Sequence, residues 1–327
     1  MSETSMTTES KLKNPLSGNV VKRQGLVIAF ALMLVGFSFF SDRFLTTDNV
    51  LLVLRQISVL GILACGMTMV IISGNLDLSV GSTVTLTAFV TVDLLNRYNA
   101  VTAVLIALMI GAIIGAINGV LVGYLKLNFL IVTLGMLQVI QAIVLIYSQG
   151  QYMFIPNPEE SPFSFVGRGF VLGIPFPVIL FGIIILISIY VLNGTVFGRY
   201  IFSIGGNAEA SKFSGIRSER VIFFTYVISS VTAAIGGIVF ASRNMQAQNT
   251  LGQGFELEVI AAVALGGTSL LGGSGSIGKS VVAVLILGFL FNAFILVGLP
   301  YFSTLIVEWV ILVVAVWIDI TVRRGGD

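Results

Sequence analysis

Ala100-Val-Thr-Ala-Val-Leu-Ile-Ala-Leu-Met-Ile-Gly-Ala-Ile-Ile-Gly-Ala-Ile-Asn-Gly-Val-Leu-Val-Gly-Tyr124 contains no Asp, Glu, Lys or Arg. A helix of this length, rising about 1.5 Å per residue, covers the ~30 Å hydrocarbon core of a bilayer. Within it Gly111, Gly115, Gly119 and Gly123 recur every four residues and leave one face flat enough for a neighbouring helix backbone to approach closely. The stretch therefore reads as a membrane span whose glycine face packs on another helix, with pore lining the weaker alternative.

Outward from it, further apolar stretches fall at roughly 25–40, 50–72, 79–95, 127–147, 176–193, 220–242, 256–271, 280–298 and 302–320. Those at 79 and 256 are marginal in length and predict short or broken helices. The 327 residues are 56% hydrophobic and only 10% charged, with a mean hydropathy of +1.04, whereas soluble domains carry about 25% charged residues. The expected fold is thus an all-α integral membrane protein of about ten transmembrane helices, with broken or short helices lining a central path. A single transmembrane domain is expected over 23–322, between a disordered cytoplasmic tail at 1–22 and a second tail at 323–327. Gly25 to Phe40 resembles a signal-peptide core, but no small-residue cleavage pattern follows, so it reads as an uncleaved first helix.

Ten spans put both termini on one side, together with Lys11, Lys13, Lys22, Arg23, Lys126, Arg199, Lys212, Arg217, Arg220, Lys279, Arg323 and Arg324. Arg43, Arg55, Arg97, Arg168 and Arg243 fall opposite. The excess of basic residues predicts cytoplasmic termini in a bacterial inner membrane. Two connections are longer than turns: Gln149 to Pro175, outside, with Glu159 and Glu160 among its prolines, and Gly194 to Glu219, inside. The outer one is placed to cap the path or meet a partner.

A formal charge of +2, with basic residues spread between the spans, points away from nucleic acid. There is no histidine, and Cys65 is the sole cysteine, which excludes internal disulfides, Cys/His zinc sites and histidine bases. No catalytic residue, metal ligand or cofactor site is assigned. Gly273-Ser-Gly-Ser-Ile-Gly-Lys-Ser280 fits the G-x-x-x-x-G-K-[ST] phosphate-binding pattern, yet that pattern needs a preceding strand and an α/β sheet, and here the flanks are apolar spans. A glycine turn with Lys279 at the headgroups is the expectation.

The inner connection carries its own capping signals. Asn207 suits an N-cap, Glu209 the first turn, Lys212 the last, and Gly215 a left-handed C-terminal position. A helix of two turns is unstable alone in water, so docking must order it, with Ala208, Phe213 and Ile216 as apolar contacts; an interfacial helix on the membrane lipid is the alternative. Glu209-Ala210-Ser-Lys-Phe-Ser-Gly215 resembles the E-A-A-x-x-x-G signature of ABC importer permeases, with Ser211 in place of the second Ala and without the distal I-x-L-P part. Gly61 to Ser82 and Glu258 to Gly275 narrow the likeness to the ribose, arabinose and xylose permease family, over about residues 25–322. The Asp77-Leu-Ser-Val-Gly81 run favours a sugar over a branched-chain amino acid.

The resemblance implies a coupling helix seated on a cytoplasmic ABC ATP-binding subunit, a periplasmic sugar-binding protein that delivers a monosaccharide, and a second permease copy, identical or paired, across a central path. Asn207, Glu209, Ala210, Lys212, Phe213 and Gly215 are the coupling candidates. Asn75, Asp77, Ser79, Gly81, Gly266, Gly267 and Thr268 are path candidates, because glycine and serine there break helices at membrane depth and free backbone groups to bind a polar solute. For Asp77 the residues equally allow a cap on the helix that follows. Asn75, Asn118, Asn128, Gln138, Gln141 and Asn292 suit hydroxyls as a set, and each also suits interhelical bonding. The alternatives left open are a polyol, a sugar-like autoinducer, an amino acid, or an ion-coupled carrier, the last opposed by the absence of histidine and the scarcity of mid-span carboxylates besides Asp77. A membrane-embedded enzyme lacks any Ser/His or H-E-x-x-H arrangement.

Overall fold

The structure, a computed structural model, describes residues 15–155, 157, 158, 161–300 and scattered positions from 302 to 313. The stretch 302–320 lies largely outside the described residues, as do residues 1–14, Glu159, Glu160 and both C-terminal arginines. In chain order the helices are α1 (Pro15–Ser38), α2 (Thr47–Ile72), α3 (Val80–Leu95), α4 (Ala100–Gly119), α5 (Phe129–Ser148), α6 (Ser164–Arg168), α7 (Phe176–Ile189), α8 (Val196–Gly206), α9 (Ala208–Phe213), α10 (Ser218–Asn244), α11 (Phe255–Leu265) and α12 (Ile277–Leu296). Wider five-residue turns extend α4 to Tyr124 and α7 to Gly194. Six of these helices are long and apolar enough to cross a membrane, and α3 and the Gly25–Ser38 part of α1 are apolar but shorter. Helix α1 begins at Pro15, inside the segment assigned to the tail; proline is well tolerated at a first helical position because the N–H it lacks would have no partner there.

Helix α10 is the central post, packed along α4, α2 and α3. Its contact with α4 runs through the glycine face. A Cβ on Gly111 would stand 2.8 Å from the Ser230 carbonyl oxygen, on Gly115 2.7 Å from Val227 Cα, on Gly119 2.8 Å from Phe223 Cα, and on Gly123 2.8 Å from the Glu219 carbonyl oxygen. The opposite face of α4 exposes Val101, Leu105, Met109, Ile113 and Ile117, one helical turn apart, as a lipid-contact stripe. Amides join other elements: Asn49 and the buried Asn292 exchange hydrogen bonds of 2.8 and 3.0 Å between α2 and α12.

Two segments depart from continuous spans. After Ile72 the chain turns on Gly74 (φ +84°), with Asn75 N–H donating back to the Val70 carbonyl at 3.2 Å, and α3 then covers only about 24 Å in 16 residues. The second break follows α10. At one end of the molecule Asn96 contacts the Phe154 carbonyl at 3.5 Å, and β1 (Met153–Phe154), an antiparallel partner of β4 (Gln246–Ala247), lies beside it. Further along, Gly252 N–H donates to Thr85 Oγ at 3.1 Å, roughly 16 Å down the α3 axis from Asn96 at about 1.5 Å per residue. Residues 248–254 therefore descend without helix to membrane depth, and α11 continues from there in 11 residues.

The apolar stretch at 256–271 is broken, as its marginal length and its glycines predict: helix ends at Leu265, and 266–276 is a folded loop. Gly267, Gly272 and Gly273 there adopt φ between +75° and +88°, which a right-handed helix cannot hold. Among the described residues strand structure is limited to two short pairs, β1 with β4 and β2 (Phe170–Val171) with β3 (Ile174–Pro175).

Candidate functional site

Asp77 heads α3 and is fully buried. Its Oδ1 accepts from Ser79 N–H at 3.1 Å and from Ser79 Oγ at 2.6 Å; its Oδ2 accepts from Ser229 Oγ of α10 at 2.9 Å. Asn118 of α4 donates to Ser79 Oγ at 2.9 Å, and Tyr226 donates to the Leu76 carbonyl at 2.9 Å. The carboxyl group thus closes a turn on Ser79, the N-cap residue of α3, and ties it to α4 and α10. Asn75 is spent locally, donating to Ser73 at 3.2 Å. Gly81 is a point of close approach, where a Cβ would run into the Gly252 carbonyl and a Glu256 carboxyl oxygen.

The other flank of α3 faces a polar cavity. Ser82, Gln138, Gln141, Gln253 and Glu256, with Leu137 and Gly252, line a cavity of about 210 Å³ between α3, α5 and the start of α11. Gln141 donates to the Asn249 carbonyl at 2.9 Å and so fixes the descending segment to α5. Of the amides singled out in the sequence, Asn75, Asn118, Asn128, Gln141 and Asn292 all bond protein; Gln138 holds no partner among the described residues, and neither does Gln253. Gln253 was not singled out from sequence. The signal available was a polar residue between two glycines, Gly252-Gln-Gly254, directly ahead of an acidic first helical turn.

Gly266, Gly267 and Thr268 lie at the opposite end of α11. A Cβ on Gly266 would stand 2.8 Å from Ser280 N, and Thr268 is buried with its hydroxyl unpartnered. The loop's Gly273 N–H donates to the Ile72 carbonyl at 2.9 Å. A Cβ on Gly272 would stand 2.8 Å from Gly74 Cα, and one on Gly273 2.8 Å from Gly206 Cα. One glycine junction therefore joins the end of α2, the α11–α12 loop and the end of α8. The Gly273–Ser280 pattern belongs to this junction: no strand precedes it, Ser280 Oγ accepts from Thr68 at 3.0 Å, and Lys279 is exposed.

Helices α8 and α9 hold the coupling candidates. Thr195 caps α8, accepting from Gly198 N–H at 3.2 Å; this helix was not anticipated, although Thr195 ahead of Val196, Tyr200, Ile201 and Ile204 carries the cap and the apolar spacing. Asn207 caps α9, accepting from Ala210 N–H at 2.9 Å, with Glu209 in the first turn, Lys212 in the last and Gly215 at φ +80°. Ser211, the departure from the alanine of the signature, is 2% exposed and shares a 2.7 Å hydrogen bond with Ser203 Oγ of α8. The hydroxyl clamps the two helices together, which alanine would not do. Phe213 is 91% exposed, beside a groove of about 550 Å³ lined by Glu209, Lys212, Lys126, Glu219 and Ile222.

At the other end, Arg55, Arg168 and Arg243 gather around a cavity of about 510 Å³. Arg55 donates to the Gly167 carbonyl at 2.9 Å and Arg168 to the Arg243 carbonyl at 2.8 Å; the ion pairs of the described residues lie elsewhere, at Arg97–Asp93 and Lys126–Glu219.

With this geometry the chain is similar to three curated permeases. It is 39% identical to the ribose import permease protein RbsC of Escherichia coli K12 over 90% of this chain and 93% of that protein. It is 37% identical to RbsC of Bacillus subtilis over 92% and 93%, and 35% identical to the L-arabinose transport system permease protein AraH of E. coli K12 over 98% and 97%. No solved structure matches. Residues 49–316 match the model of the branched-chain amino acid transport system permease component, and the chain is a multi-pass membrane permease belonging to that family.

Proposed function

We propose that the chain is the membrane-spanning subunit of an ATP-driven importer that takes a monosaccharide from a binding protein and passes it along a path enclosed by two permease copies. The likeness to ribose and arabinose permeases over nearly the whole chain carries this reading. Helices α8 and α9 support its energetic half. A six-residue helix is unstable alone, yet this one is capped at Asn207, closed at Gly215, clamped through Ser211 and bears an almost bare phenylalanine. Such a helix is built to be covered by the ATP-binding subunit, and the glycine junction links it to α2 and the α11–α12 loop. This end is cytoplasmic, with both termini, in an inner membrane.

The opposite end receives the binding protein. Three guanidinium groups without an ion-pair partner among the described residues suit carboxylates on its surface, which would steer association. The ATP-binding subunit performs hydrolysis, and the permease itself is not an enzyme. A branched-chain amino acid, named in the description of the family, suits the open cavity less well, because amides, a hydroxyl and a carboxyl group line it.

Co-purification with the ATP-binding subunit, followed by ATPase assay in lipid nanodiscs with and without sugar-loaded binding protein, tests the reading. A stable complex whose hydrolysis rises with the loaded binding protein is the expected result; no association in any lipid would overturn it. Glu209→Arg and Gly215→Pro, which alter charge and close off φ +80°, should abolish both uptake and stimulation while the protein remains inserted.

A further inference from the structure

Two exposed side-chain amides with no protein partner among the described residues, Gln138 and Gln253, face the same space. Ser82 from α3, Gln138 and Gln141 from α5, Gln253 from the descending segment and Glu256 from α11 converge on the 210 Å³ cavity. Its depth follows from its walls: Gly252 is held at Thr85, roughly 16 Å along α3 from the Asn96 end, and Gln138 lies midway along α5. At that depth lipid offers no hydrogen bond, so an amide with no protein partner must face water or a solute. Gln138 and Gln253 are such amides, both exposed at the cavity mouth.

We infer that this cavity is the contact site for the transported solute, and that its ligand is a neutral polyhydroxylated molecule. The inference rests on the importer reading and names the residues that touch the cargo. Each glutamine offers an N–H pair and a carbonyl to one hydroxyl group, and a carboxyl group accepts from two neighbouring hydroxyls at once. Among the described residues no Lys or Arg lines the cavity to hold an anion. The descending segment holds Gln253 in place through Gln141 and Thr85, both bonded to its backbone. Few contacts on an open cavity make weak binding, which suits release in each transport cycle.

The sole native cysteine, Cys65, is 1% exposed, so single cysteines introduced elsewhere can be read without background. In the full complex in proteoliposomes, Gln138→Cys and Gln253→Cys should react with a charged, membrane-impermeant methanethiosulfonate, and Ile113→Cys on the lipid stripe should not. Gln138→Ala combined with Gln253→Ala should lower uptake of radiolabelled D-ribose or L-arabinose about tenfold, the scale of one lost hydrogen bond. ATPase stimulation by the loaded binding protein should persist. Absent labelling at both positions, or undiminished uptake in the double variant, would overturn the assignment. If the wild-type complex imports neither sugar, the monosaccharide reading fails by itself, and the labelling pattern still decides whether the cavity is part of an aqueous path.

Discussion

Asp77 and Glu256 flank the first turns of α3 on two sides. Asp77 is enclosed by Ser79 and Ser229, with Asn118 and Tyr226 completing the ring. Glu256 stands beside Gly81 and opens onto a cavity shared with unpartnered amides. A carboxyl group at membrane depth costs about 2.5–3.5 kcal/mol on insertion scales, and the two sites offset this differently. Asp77 does so with protein donors, which makes it part of the framework. Among the described residues Glu256 accepts only from backbone N–H groups at the start of its own helix, its own and that of Gly254, and the carboxyl group also borders the cavity. The difference teaches that a carboxyl group within a membrane span is a functional candidate only once its partners are known.

The contrast can be broken by mutation, beginning with the largest effect. Asp77→Ala removes the acceptor for three donors and should destabilise the protein by on the order of 3 kcal/mol or more, read as a lowered midpoint of SDS-induced unfolding in mixed micelles. Next, Ser79→Ala, which severs Asp77 from Asn118, should cost about 1–2 kcal/mol, and Ser229→Ala about 1 kcal/mol, in the same assay. The smallest change is expected from Glu256→Gln. Its unfolding midpoint should shift by less than about 0.5 kcal/mol, while sugar uptake falls. Equal destabilisation by Asp77→Ala and Glu256→Gln would erase the distinction between framework and cargo site.

Much of the fold was legible because lipid constrains sequence strongly. Apolar stretches near twenty residues with few charges marked the long helices, and a four-residue glycine repeat marked the face along which α4 meets α10. The caps at Asn207 and Gly215 could be read locally because each acts within one helical turn. Helix α8 escaped because its apolar spacing was taken as connection. The end of α11 was legible from Gly266 to Gly275, whose glycines break the helix, although hydropathy alone runs on to residue 271.

The path was less legible. Asp77 and Ser79 are path candidates in the sequence and Gln138 is one of the amides suited to hydroxyls, and polarity alone does not separate them. Their difference lies in Ser229 and Asn118, which are distant along the chain and supply the partners that Gln138 lacks. Composition and periodicity by themselves determined that the chain spans a membrane as helices, since every backbone group must be satisfied within the element. Only the tertiary structure decided which polar side chains are consumed by neighbours and which remain open, because hydrogen-bond satisfaction at membrane depth depends on which helices meet.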